Sequence, residues 1–205
     1  MVVISIEFIL VSDLEESNPR TYNLSEVQLH KNYSMLITTN AGLWRYQLGD
    51  TIQFTNLSPY RFIITGRTKQ CINVFGEEVM IHNAELALKT ACEKTKVHII
   101  DYTVAPIFMN ENSGAHQWLI EFESNPEHLD YFTKILDDTL KNINSDYEAK
   151  RFNNYILQQP TITILPKGTF YNWLKANNKL GGQFKVPRLN NTRAVVDDIL
   201  NYIST

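Results

Sequence analysis

The chain has 205 residues and a formal net charge of −3, with 43% hydrophobic and 20% charged residues. This is an ordinary balance for a soluble globular protein, and the length suffices to bury a core in one large domain or two small ones. A net negative charge offers no general attraction to phosphate backbones, so nucleic acid is excluded as an expected partner and any anion must be held by a few placed groups.

The opening "MVVISIEFILVSD" carries Glu7 at its centre and has no basic leading region or small-residue cleavage site, so it does not read as a signal peptide. No apolar run nears the ~20 residues that span a bilayer, so no membrane partner is expected. Instead Ile4, Ile6, Phe8 and Leu10 alternate with Ser5, Glu7 and Ile9, the two-residue period of a strand over 2–11. That strand starts without preamble, as if a preceding segment were missing. Further strands are predicted over 34–39, 43–48, 51–55 and 61–65, separated by turn-forming segments such as "SDLEESNPRTYN" and "NLSP". In "GLWRYQLGDTIQFT", Trp44, Tyr46 and Leu48 share one face and Arg45 and Gln47 the other. The run is expected to stop at Leu48-Gly49-Asp50 and then resume, because Gly and Asp favour bends. Residues 1–66 thus read as a small antiparallel β subdomain.

From residue 67 the rhythm changes. "QCINVFGEEVMI" reads as two short strands around Gly76. A helix is predicted over 83–95, with Ala84, Leu88, Ala91 and Cys92 on one face, followed by strands over 97–108 and 117–123. A second helix is expected to open at Asn125-Pro126, a good N-cap with Pro at the first helical position, and to bury Leu129, Phe132, Leu136, Leu140 and Ile143. A strand near 160–165, a loop containing Gly and Lys, and a last helix from about Asn191 complete an α+β unit over 67–205. That last helix would bury Val195, Val196, Ile199, Leu200 and Ile203. The fold class expected is α+β. Cys71 and Cys92 make no C-x-x-C pair, and His30, His82, His98, His116 and His128 lack helical metal-site spacing. A reducing, cytoplasmic setting and no protein-built metal site are therefore expected, with the histidines read as surface or packing residues.

Three polar clusters stand out: "YQLGD", "TGRTKQCINVFGEEV" and "GGQFKVPRL". Singly, each has an ordinary structural reading, as a turn, a Gly-Arg pair before a strand, or a lysine in water. Together and in order they resemble the adenylate-forming superfamily of acyl-CoA synthetases and luciferases. The chain is most similar to its Gretchen Hagen family of acyl-acid amido synthetases, the auxin- and jasmonate-conjugating type with bacterial members. The likeness runs through "TTNAGLWRYQLGDTIQFT", "SPYRFIITGRTKQCINVFGEEV", "INSDYEAKR", "PKGTFYNWL" and "GGQFKVPRL", essentially the whole chain. It implies the C-terminal portion of such an enzyme: the last β subdomain of the large domain, then a mobile small domain. The phosphate loop, adenine segment and acyl pocket would lie ahead of the first motif.

By motif position the resemblance implies that Asp50 binds the nucleotide ribose, its two carboxylate oxygens accepting from both hydroxyls. Gly49 would let the backbone approach closely, although Gln47 stands where the family usually has arginine. Arg67 matches an arginine on the ribose or phosphate side, Lys69 falls at the hinge between poses, and Gly76 lies in a hairpin near the acceptor channel. Lys185 matches the late lysine that enters the site during adenylation, with Lys167 of "PKGTF" as the rival. The implied activity consumes ATP, with Mg²⁺ bound mostly through phosphates, and joins a carboxylic acid to an amino acid. The 205-residue chain alone is expected to turn over little. The alternatives are an acyl-CoA ligase, which "QFKVPR" and "INSDYEAKR" disfavour, and a stand-alone interaction module associating through its exposed early strands.

Overall fold

The computed structural model describes residues 4–14, 16–68, 71–110, 113–181 and 185–204. They form two units, Met1–Cys71 and Ile72–Thr205. The fold is α+β, with mostly antiparallel sheets.

In the first unit, β1 (Ile4–Leu10), β2 (Asn32–Thr39), β3 (Tyr46–Leu57) and β4 (Tyr60–Arg67) pair antiparallel in chain order. Alternation sets the faces. Phe8, Tyr33, Ile52 and Phe54 turn inward onto Val27 of the β1–β2 connection, with Phe8 and Phe54 edge-to-face at 5.4 Å. The Tyr33 hydroxyl accepts from the Gln28 amide at 3.0 Å, so the buried ring keeps a polar partner.

The expected break at Leu48-Gly49-Asp50 is corrected: β3 runs without interruption from Tyr46 to Leu57. Ser34 pairs with Thr51 and Leu36 with Gln47, so Met35 alone faces Leu48, Gly49 and Asp50. Glycine at φ +81° absorbs these extra residues in a bulge, which bends a strand without ending it. The strand also begins three residues later than the expected start at residue 43. β2 continues to Thr39, so residues 40–45 must make the connection, and Trp44 lies outside the sheet, 82% exposed.

The second unit opens at Ile72, the last residue of the short strand β5 (Cys71–Ile72), and continues through β6 (Val79–Met80), which leads directly into α1 (Ile81–Thr95). β7 (Ile99–Asn110) and β8 (Ser113–Phe122) form an antiparallel pair. The chain then crosses over through α2 (Leu129–Ile143) and α3 (Ser145–Arg151), and β9 (Thr161–Leu165) joins β8 in parallel. α4 (Thr169–Ala176) and α5 (Ala194–Ser204) follow. Central strand β8 is covered on both faces. Trp118, Ile120 and Phe122 pack with α1 and α2, while Leu119 faces Phe170, Trp173, Val196 and Ile199 of α4 and α5. That double cover is why "WLIEF" is apolar almost without a break.

Several boundaries differ from expectation. α2 starts at Leu129, not at Asn125-Pro126, with His128 at its N-cap. Glu127 and His128 are exposed, so a helical turn there would bury nothing, and capping cues alone did not form one. α5 begins at Ala194, three residues after the expected start. The loop expected after residue 165 contains α4. Its start is capped from across the sheet: the buried Glu121 carboxylate accepts from the amides of Gly168 and Phe170. Among the described residues, no helix is long and apolar enough to cross a membrane.

Candidate functional site

The bulge in β3 sets the geometry of the first cluster. Asp50 is paired across the ladder with Arg67 at the end of β4, and the Arg67 Nε lies 3.4 Å from Asp50 Oδ1. Both side chains face water, 44% and 70% exposed, so the pair contributes at most about 1 kcal/mol to stability. The register is held elsewhere: the Thr65 hydroxyl meets that of Thr51 at 3.0 Å in the interior, and the Thr68 amide donates to the Gly49 carbonyl at 2.9 Å. Asp50 and Arg67 therefore sit at a place where stability does not need them. A Cβ on Gly49 would meet nothing within 4 Å, so the backbone beside Asp50 is open to an approaching molecule. An ionised carboxylate, a planar cation and bare backbone suit a ligand carrying neighbouring hydroxyls and an anionic group. Gln47 donates its side-chain amide to Ser34 Oγ at 3.0 Å.

In the second unit, residues 73–78 form a tight turn with Gly76 at φ +82°. Glu77 is fully buried beneath it. Its carboxylate accepts from the Val74 and Phe75 amides at 3.3 and 2.6 Å, and lies 2.8 Å from His116 Nε2 on β8. Asn144 donates to the carbonyls of Glu77 and Glu78, while its own Oδ1 caps α3 at the Tyr147 amide. Tyr147 and Arg151 of α3 both close on Asp137 of α2. The Tyr147 hydroxyl donates at 2.8 Å, and Arg151 makes a two-pronged contact at 2.7 and 2.8 Å. Burial alone would push the Asp137 carboxyl up, but Arg151, Tyr147 and Lys141 outweigh it and hold it below the usual carboxylate range. Burial pushes the Tyr147 phenol well up, so it remains a donor. The "INSDYEAKR" segment is thus a brace that joins α2, α3 and the 73–78 turn.

Lys185 also belongs to the second unit. It is exposed and stands beside Val186, which is 4% exposed in the core formed with α4 and α5. Lys167 is exposed immediately before Gly168, at the Glu121-capped start of α4. The expected hinge residue Lys69 lies outside the described residues, as do residues 182–184 before Lys185. Among the described residues, no three His, Cys, Asp or Glu side chains gather into a metal-holding group. Of the expected site residues, Asp50, Gly49 and Arg67 are adjacent at one bulge. The Glu77–His116 pair escaped the sequence reading. Glu77 in "GEE" looks like a solvated turn, and no local signal ties it to a histidine 39 residues away.

This architecture matches that of a solved acyl acid amido synthetase, GH3.15, with a TM-score of 0.64 at 19% identity, covering 97% of this chain and 36% of that one. The GH3 family central domain matches residues 2–67 and the GH3 family C-terminal domain residues 82–194, and the chain belongs to that family. It is 32% identical over 190 residues to jasmonoyl–L-amino acid synthetase GH3.5 of Oryza sativa subsp. japonica, covering 86% of this chain and 31% of the relative. It is 28% identical over 195 residues to jasmonoyl–L-amino acid synthetase JAR4 of Nicotiana attenuata, covering 89% and 33%. The chain spans about a third of the length of the curated relatives it matches.

Proposed function

We propose that this chain is the C-terminal part of an ATP-dependent acyl-acid amido synthetase working in the cytoplasm. Such an enzyme activates a carboxylic acid as an acyl-adenylate and passes the acyl group to the amine of an amino acid. The observation that carries this reading is the pairing of Asp50 with Arg67 beside the open backbone of Gly49, at a water-facing bulge that stability does not require. In this reading residues 1–66 close the large adenylation domain and residues 67–205 form the mobile domain. Asp50 accepts hydrogen bonds from both ribose hydroxyls, and Arg67 faces the ribose or phosphate side with its fixed fork of donors. Lys185 enters during the first half-reaction, where its cation offsets the charge that builds as the carboxylate attacks the α-phosphate. Lys69 absorbs the backbone change between poses. Mg²⁺ accompanies ATP through the phosphates and needs no ligand from these residues.

The test joins the 205-residue chain in frame to the N-terminal two-thirds of the rice relative. Acid-dependent ATP–pyrophosphate exchange is measured first, then amide formation with an amino-acid mixture. Asp50→Ala and Lys185→Ala are expected to lower exchange at least 100-fold, with Lys185→Ala sparing transfer from preformed acyl-adenylate. Exchange that survives both substitutions rules the assignment out.

A further inference from the structure

We infer that Asp101, Thr103, Arg188 and Asn190 form a clasp that fixes the segment following Lys185 on the outer edge of β7, and that they are positioning residues for that lysine. β7 is an outer strand of its sheet, and residues 187–190 lie along its unpaired edge. The Val104 amide donates to the Arg188 carbonyl at 2.9 Å, and the Asn190 amide donates back to the Val104 carbonyl at 3.0 Å. Side chains tighten this ladder. The Thr103 hydroxyl donates to the Pro187 carbonyl at 2.6 Å, and the Asn190 side-chain amide reaches Thr103 Oγ1 at 2.9 Å and the Val104 carbonyl at 3.0 Å. The Arg188 guanidinium meets Asp101 at 2.9 Å and lies 4.5 Å over the Tyr102 ring. Val186 and Leu189, both 4% exposed, anchor the segment in the two cores on opposite faces of the sheet.

Lys185 is therefore one residue from a buried anchor and three from an arginine held by a carboxylate and a ring. A lysine that must deliver charge to a reacting phosphate gains from such restraint, since a misplacement of about 1 Å costs on the order of 100-fold in rate. The pair is poorly explained as a stability device. Burial raises the Asp101 carboxyl above its ordinary range even with the Arg188 charge beside it, so desolvation outweighs pairing there.

The inference rests on the adenylation role proposed for Lys185, and its test separates the two. In the 205-residue chain, Asp101→Asn and Asn190→Ala are compared for native-state trypsin cleavage after Lys185, cleavage after Lys134 within α2, and melting temperature. Cleavage after Lys185 is expected to rise about tenfold in each variant, with the α2 site and melting temperature unchanged for Asp101→Asn. Unchanged cleavage after Lys185, or a parallel rise at both sites with lowered melting, overturns the clasp. In the fused enzyme, Asp101→Asn is expected to lower kcat for pyrophosphate exchange about tenfold. The KM for ATP and transfer from preformed acyl-adenylate should hold, and Asp101→Asn introduced into the Lys185→Ala enzyme should cause no further loss. If Lys185→Ala leaves exchange intact while cleavage rises, the adenylation role fails and the clasp stands. If Lys185→Ala abolishes exchange and Asp101→Asn does not lower it, the positioning role fails.

Discussion

Replacing Arg151 with methionine keeps the length and apolar stem of the side chain and removes its charge. In the native chain Arg151 is 7% and Asp137 5% exposed in their side chains, and two guanidinium nitrogens grip the two carboxylate oxygens at 2.7 and 2.8 Å. A third nitrogen donates to the Leu157 carbonyl at 2.8 Å. The substitution therefore leaves a buried carboxylate and a carbonyl short of donors, a loss that typically costs about 3–5 kcal/mol. The Tyr147 hydroxyl and Lys141, 3.1 Å from Oδ2, remain, which points to the lower end, about 3 kcal/mol. With a urea dependence near 2 kcal/mol per molar, the midpoint should fall by roughly 1.5 M. Urea titrations followed by tryptophan fluorescence read the correct unit, because Trp118 and Trp173 both lie in it.

The sign of the pH effect is the sharper test. In the native chain the Asp137 carboxyl is held below its unfolded range, so its contribution is complete above the unfolded value and fades only as pH falls through the folded one. Between pH 7 and 5 it changes little. In the variant, burial without Arg151 raises the carboxyl, and the fold then binds a proton more tightly than the unfolded chain does. Its stability should recover as pH falls, so the gap narrows from pH 7 to pH 5. A loss below 1 kcal/mol at pH 7, or an equal loss at both pH values, would show that Asp137 is not a buried charge dependent on Arg151.

Gly114→Ala places a Cβ 2.0 Å from the Ile107 carbonyl oxygen and 2.5 Å from the Phe75 ring, so the strand or the turn must shift. A loss of about 2–3 kcal/mol by urea midpoint is expected. Asp50→Asn should change the stability of the first unit by less than about 0.5 kcal/mol in urea titrations followed by far-ultraviolet circular dichroism, since its pair with Arg67 is water-facing. The 205-residue chain by itself should give pyrophosphate exchange at background in a radiolabel assay. Robust exchange would mean that these residues contain a complete adenylation site.

Helices α1 and α2 were legible because period and burial agree there, whereas the strands of the first unit were legible from alternation and residue type alone, with Ile4, Ile6, Tyr46 and Leu48 of that alternation exposed. Phe132, Leu136 and Leu140 form a stripe at helical spacing, and all three are buried. What escaped was held by distant partners. α4 depends on Glu121, 47 residues from the Gly168 amide that it caps. The 73–78 turn depends on Asn144 and His116. Gly49-Asp50 was misread for the opposite reason. Its residue types signal a bend, but the ladder on both sides, to β2 and to β4, carries the strand through as a bulge. Family likeness assigned Asp50 and Arg67 to one nucleotide, but their direct pairing across the ladder was not read from the sequence, since nothing in residue spacing joins them.

Two lysines are candidates for the proposed adenylation role, and they sit in different surroundings. Lys167 precedes a helix whose first turn is tied to a buried carboxylate, so its backbone is fixed on the side of Gly168 and Phe170. Lys185 precedes the segment held along β7, and that clasp begins at Val186. Both side chains are exposed, so neither substitution to alanine should shift the melting temperature by more than a degree or two. Catalysis must discriminate. In the fused enzyme, Lys185→Ala should abolish pyrophosphate exchange and keep transfer from preformed acyl-adenylate, while Lys167→Ala should leave both within about threefold of the parent. The reverse outcome would move the cation to α4 and leave the β7 clasp with no lysine to position.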